Sequence, residues 1–340
     1  MNRLPLFGLL VLTLSLSFYG CNVISDTKID EGVVIAKTAM LKSSTAKVSL
    51  NVKELKKGDR LDILEQAEIK TPTGAIQNWV KVKLTPSGDT GWLESRYVIN
   101  KTYLDKTNEL FDKSRELPAQ GLGRVKVSAN LRLEPGGEVL TSLNRGTNVE
   151  IVGRIRTIQK QEDTDSNPNN DEGDAKTVLW YQVRLSEGEV LRAGWLGAAQ
   201  VELDVPDDVL HLEGDGRRFT GWVVFDQTKT KKGEIKNNYI ALMKRVDGEA
   251  AVDFTRIWFL NYSPDLGRYI NGYLIDGVRG VLPVKLGTAA GGKGFMTQEL
   301  DENARPVSIS YEVKRVSAEK VEVKRLQPLL PQKRTPKIKK

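Results

Sequence analysis

The chain has 340 residues, 39% hydrophobic and 28% charged, with one cysteine, one histidine and a formal net charge of +7. One cysteine excludes an intramolecular disulfide, and one histidine (His211) disfavours both a zinc hydrolase and a Ser-His-Asp triad. Residues 312–340 hold ten Lys or Arg against three Glu, which is the whole of the +7, so the rest is neutral and a nucleic-acid partner is not expected.

The N-terminus reads MNRLPLFGLLVLTLSLSFYGC. One Arg precedes an apolar run from Leu4 to about Phe18, and the small Gly20 precedes Cys21. The run falls short of the roughly 18 residues of a spanning helix, and its layout is that of a signal peptide over residues 1–20. A lone Cys at such a cleavage site resembles the lipobox of bacterial lipoproteins. Phe18 stands where that family prefers Leu, which is similar to the looser lipoboxes of spirochaetes. The resemblance implies acylation of Cys21 and an exported chain anchored to the cell envelope, at the outer membrane. Residues 21–34 would then be a tether.

Residues 35–100 read as short strands. AMLKS starts at Ala39, and LKKGDRLDILE (Leu55 to Glu65) is a Gly-led strand. In NWVKVKL, Val80, Val82 and Leu84 share one face and Trp79, Lys81 and Lys83 the other, the period of a half-buried strand. GWLESRYV closes the unit at Gly91–Val98. Next, Thr102 to Leu117 has apolar residues at 104, 110, 111 and 117, an amphipathic helix starting near Thr102 or Asp105, within a linker over 101–120.

The same order of strands then returns over residues 121–204. ANLRL starts at Ala129, LNRGTNVEIVG spans Leu143 to Gly153, LWYQVRL carries Trp180, and GWLGAAQV spans Gly194–Val201. Agreement in order and in Trp and Gly positions predicts a duplicated β module. The early LNVR-like strand, the L-x-K-G-x-x-V start, the W-x-K-V strand and the terminal Gly-Trp-Leu resemble the bacterial SH3 family, SH3b. The first copy departs from that pattern in lacking Pro and Gly in its early turn. The resemblance covers under half of the chain and implies small, partly open barrels of about five strands. Members commonly sit in envelope proteins and bind peptidoglycan, while others are spacers.

Candidate ligand contacts are Trp79, Lys81 and Tyr97 in the first copy and Trp180, Gln182 and Arg184 in the second. A Trp on the polar phase is expected to be more exposed than Trp92 or Trp195, which are expected to close each barrel. The second copy also carries an acidic insertion over 159–176. Asp163, Asp165, Asn167, Asn169, Asp171 and Asp174 fall at alternating oxygen-donor positions, a weak calcium-loop pattern with Pro168 where the sharp turn needs Gly. A solvated loop is the simpler reading, and no metal or cofactor is expected.

Residues 205–327 alternate strand-like stretches with Gly, Asn and Pro clusters, an antiparallel barrel or sandwich. Its aromatics Trp222, Phe225, Phe254, Trp258, Phe259, Tyr262, Tyr269 and Tyr273 fill a core or line a pocket. The basic tail 328–340 holds three Pro and is expected to be disordered or a tether to an anionic surface. The expected fold is all-β: two small SH3-like barrels and a third antiparallel domain. The expected role is non-catalytic binding or scaffolding to peptidoglycan or a protein ligand. A surface adhesin contacting a host protein, or a carrier of a hydrophobic ligand in the C-terminal domain, are the alternatives.

Overall fold

The structure, a computed structural model, describes residues 27–326 apart from 72, 86, 160–175, 187 and 290–291. Cys21 with its leader, the calcium-loop positions Asp163 to Asp174, and the basic tail lie outside the described residues. The protein is all-β, with three antiparallel sheets of seven strands each, two of them half-barrels.

The first sheet contains β1 (Asp30–Val34), β2 (Thr38–Lys42), β3 (Asn51–Lys56), β4 (Arg60–Lys70), β5 (Ile76–Leu84), β6 (Thr90–Glu94) and β7 (Val98–Asn100), in the order β3-β2-β6-β5-β4-β1-β7. A 3-10 turn, Ser95–Tyr97, joins β6 to β7. The sheet therefore begins inside the stretch expected as tether. Val34 is fully buried and packs with Leu41, Leu61 and Leu93, so these residues are core and not spacer.

Helix α1 (Lys101–Ser114) follows directly. Its N-cap is Asn100, whose Oδ1 accepts from the Tyr103 N–H, so the helix starts earlier than Thr102. Tyr103 and Leu104 pack into the core of the second sheet together with Ile99. The helix is thus part of the second module's core rather than a free linker.

The second sheet repeats the first: β8 (Gly121–Val125), β9 (Ala129–Arg132), β10 (Val139–Leu143), β11 (Asn148–Gln159), β12 (Lys176–Leu185), β13 (Ala193–Gly197) and β14 (Val201–Leu203), ordered β10-β9-β13-β12-β11-β8-β14. A 3-10 turn again precedes the last strand, at Ala198–Gln200. Register matches residue for residue. Gly32 faces Leu61 and Asn100, and Gly123 faces Val149 and Leu203. Both long strands carry a bulge at the same place, between Ile63 and Glu65 and between Ile151 and Gly153.

The repeated Gly-Trp-Leu marks a close approach between strands in both copies. A Cβ on Gly91 would lie 2.6 Å from the Lys42 carbonyl oxygen, and one on Gly194 2.9 Å from that of Arg132. Glycine lets β6 and β13 approach the neighbouring hairpin, while Leu93 and Leu196 are fully buried. Gly91→Ala is expected to destabilise the first module by about 1–3 kcal/mol through overpacking, read from the denaturant midpoint. An unchanged midpoint would show that β2 moves aside freely.

The third sheet is a meander of β15 (Arg217–Lys229), β16 (Ile235–Arg245), β17 (Phe254–Ser263), β18 (Arg268–Ala289), β19 (Gly292–Leu300), β20 (Pro306–Arg315) and β21 (Val321–Leu326), preceded by a short helix, Asp207–Leu210. Phe225, Phe254, Phe259 and Tyr273 pack on one face, and Trp222, Trp258, Tyr262 and Tyr269 on the other. These aromatics therefore do not gather round one space. Arg315 makes a paired contact with Asp226, bringing β20 against β15 although the two are not adjacent in the sheet.

The second and third units meet through buried polar groups. The Gln120 side chain donates to the Val284 carbonyl at 2.8 Å and accepts from the Val284 N–H at 2.7 Å. Asp253, 1% exposed, accepts from the Leu282 N–H, from Arg156 at 2.7 Å and from Arg154 at 3.4 Å. Burial, with Arg156 beside it, holds the Lys244 ammonium below its usual range.

Candidate functional site

The outward face of the first sheet carries an open groove of about 500 Å³, lined by Thr38, Met40, Lys42, Glu54, Trp79, Glu94 and Tyr97 along with Ala39. Alternation along β2 sends Ala39 and Leu41 into the core and leaves Thr38 and Met40 outside. Pairing then sets Glu54 opposite Met40, Trp79 opposite Glu94, and Trp92 between Lys81 and Lys42. The 3-10 turn adds Tyr97.

The order of tryptophan burial is the reverse of the expected one. Trp79 and Trp180 are each 7% exposed, whereas Trp92 and Trp195 are half-buried. Both kinds lie on the outward face, because Gly91 and Gly194 take the inward positions. Alternation gives the face and not the crowding. All four rings sit on interior strands, so the size of the neighbouring side chains and not the strand position separates the two kinds.

The two buried indoles differ. The Trp180 Nε1–H donates to Thr157 Oγ1 at 3.0 Å. Trp79 Nε1 is buried and has no partner among the described residues. In matched register Ile69 stands where Thr157 stands in the second copy. An unpartnered buried donor costs about 1–3 kcal/mol. Ile69→Thr is expected to slow exchange of the Trp79 indole proton and raise stability by about 1 kcal/mol. Unchanged indole exchange would show that the hydroxyl does not reach the ring.

Of the expected contacts, the structure brings together only Trp79 and Tyr97. Lys81 is half-buried across from Trp92 and Glu65, outside the groove lining. Gln182 occupies the matching place, across from Trp195 and Gly153. Arg184 is withdrawn from the set. It donates to the carbonyls of Ser114 and Leu117 at the end of α1, at 2.9 and 3.1 Å, and pairs with Glu150. That geometry is a helix cap.

The second copy keeps the cation, with Arg132 in the place of Lys42, but among its described residues it lacks the acidic side of the groove. Ser142 replaces Glu54 and bonds to Asn130, Gly197 replaces Glu94, and Gln200 replaces Tyr97. In the first copy Arg96 pairs with Glu94 at 2.7 Å and lies 4.8 Å over the Tyr97 ring, a cation–π contact. Glu54 and Lys42 make no ion pair with any described residue. Sequence reasoning missed Glu54, Lys42 and Met40. Their signal was the alternation of the early hairpin, which shows only once β2 is paired with β6. Among the described residues no group of three or more His, Cys, Asp or Glu is placed to hold a metal, and no helix is long and apolar enough to cross a membrane.

No protein-family model matches the chain, and no curated protein matches it. Among solved structures, NlpC2 from Trichomonas vaginalis is similar at 11% identity, TM-score 0.15, over 52% of this chain and 48% of that one. NlpC1 from the same organism is similar at 11% identity, TM-score 0.16, over 74% of this chain and 88% of that one. The chain thus matches about half the length of the first. Scores of this size carry no argument about fold or activity.

Proposed function

We propose that the protein is an envelope lipoprotein, anchored through acylated Cys21, that binds peptidoglycan or an envelope protein without catalysis. The first SH3b-like module would carry the binding and the second would act as a structural joint. The observation behind this reading is the asymmetry of two copies in one register. The first leaves its outward groove open, with Glu54 and Lys42 uncommitted. The second spends Arg184 on α1, and Arg154 and Arg156 on the third sheet. The shared strand order and the 3-10 turn before the last strand support a common SH3b-like origin.

Two measurements test it. Purified peptidoglycan sacculi should retain the full chain, and Tyr97→Ala should reduce retention while Gln200→Ala does not. Equal loss from both, or from neither, would remove the asymmetry. Cys21→Ala should move the protein from the membrane to the soluble fraction, since acyl chains contribute about 0.8 kcal/mol per buried methylene. A variant that stays with the membrane after a high-salt wash would overturn the anchor.

A further inference from the structure

The charges of the groove are arranged in a way that narrows its ligand. Of the ionic side chains lining it, Glu94 is already neutralised by Arg96. That leaves one carboxylate, Glu54, and one ammonium, Lys42. Glu54 pairs across the hairpin with Met40, and Lys42 lies two residues along the same strand. They are diagonal neighbours on one face, a spacing of roughly 7–8 Å. Opposite charges at that separation on long side chains could pair with each other, yet they do not. Met40, between them on the groove wall, is 37% exposed. Trp79 and Tyr97 line the far side of the groove, with β2 and β6 between Trp79 and Glu54.

We propose that this groove binds the zwitterionic end groups of an amino acid or short peptide, with its ammonium on Glu54 and its carboxylate on Lys42. The inference rests on the reading of the first module as the binding unit, and names the chemistry that unit recognises. Two residues of extended peptide span at most about 7 Å, close to the spacing of the two strand positions that carry the charges. A ligand of net charge zero suits a groove whose own free charges cancel. The second copy lacks the carboxylate, because Ser142 holds that place, and it is not expected to bind the same group.

The test uses the full chain with its six tryptophans labelled at the indole nitrogen. The Trp79 signal is assigned by Trp79→Phe and the Trp180 signal by Trp180→Phe. Titration with glycylglycine should shift the Trp79 signal and leave that of Trp180 in place. N-acetylglycylglycine and glycylglycine amide, each lacking one charge, should bind about tenfold more weakly, the scale of one charge-assisted hydrogen bond. Glu54→Gln should weaken glycylglycine by a similar factor and remove the penalty for N-acetylation. Lys42→Met should do the same for amidation. The position of the Trp79 signal without ligand, unchanged from the parent, reports that the first module of each variant is folded. Equal binding of the charged and blocked dipeptides, or no shift at all, overturns the proposal. Tighter binding of O-phosphoethanolamine than of glycylglycine also overturns it, by assigning the groove to a phosphate zwitterion. Sacculus retention separates this idea from the one it rests on. Retention that survives both variants removes the zwitterion site and leaves the binding role. A Trp79 shift without retention keeps the site and removes the wall.

Discussion

Replacing Asp253 by Ala is expected to destabilise the protein by about 3–5 kcal/mol, the cost of leaving a buried ion pair half-made. Asp253 is 1% exposed and is the carboxylate that meets both Arg154 and Arg156 from the second sheet, besides accepting the Leu282 N–H. Arg154 is itself nearly buried, with a side-chain exposure of 6%. Removing the carboxylate leaves guanidinium charge facing the Lys244 ammonium without a counter-ion. Thermal unfolding should show the second and third units losing cooperativity with each other. A combined variant, Asp253→Leu with Arg154→Met and Arg156→Met, should recover much of the loss, because apolar groups of similar volume do not need the missing charge. A loss of under 1 kcal/mol for Asp253→Ala would mean that water already reaches the pair.

The second large effect concerns the tryptophans. Trp180→Ala is expected to cost about 3–5 kcal/mol, and Trp79→Ala a similar amount less the relief of an unpartnered N–H. Both rings are 7% exposed. Trp195→Ala and Trp92→Ala should cost less, about 2 kcal/mol, since each ring is only partly buried. Trp180 loses its bond to Thr157 as well as its packing. Denaturant midpoints of the four variants give the order directly. If Trp92→Ala and Trp195→Ala proved the costlier pair, the half-buried indoles would be the ones that close the barrels.

Much of the architecture was legible in the residues themselves. Period-two alternation and the recurring Gly-Trp-Leu gave an all-β chain with a duplicated unit, because strand pairing makes side chains alternate and a copied module keeps its alternation. The helix between the copies was legible from its apolar spacing, though its cap at Asn100 was not, since capping depends on the path of the preceding strand. Trp79 and Tyr97 could be picked out one by one as polar-phase or turn aromatics. Their meeting in one groove could not, because it needs β5 beside β6 and the 3-10 turn folded back over both.

Strands, turns, the repeat and the face each residue takes belong to the local layer of the fold. Those follow from backbone geometry and the hydrophobic period, which act between near neighbours. Which outward residues are crowded and which are open was set by the packing of the three sheets and α1. It buried Trp79 and Trp180, spent Arg184 on the end of α1, and joined Arg154 to Asp253 across two sheets. It also left Glu54 and Lys42 facing an open groove. Crowding and ion pairing depend on elements distant in sequence, and alternation carries no information about which of those elements arrives on a given face.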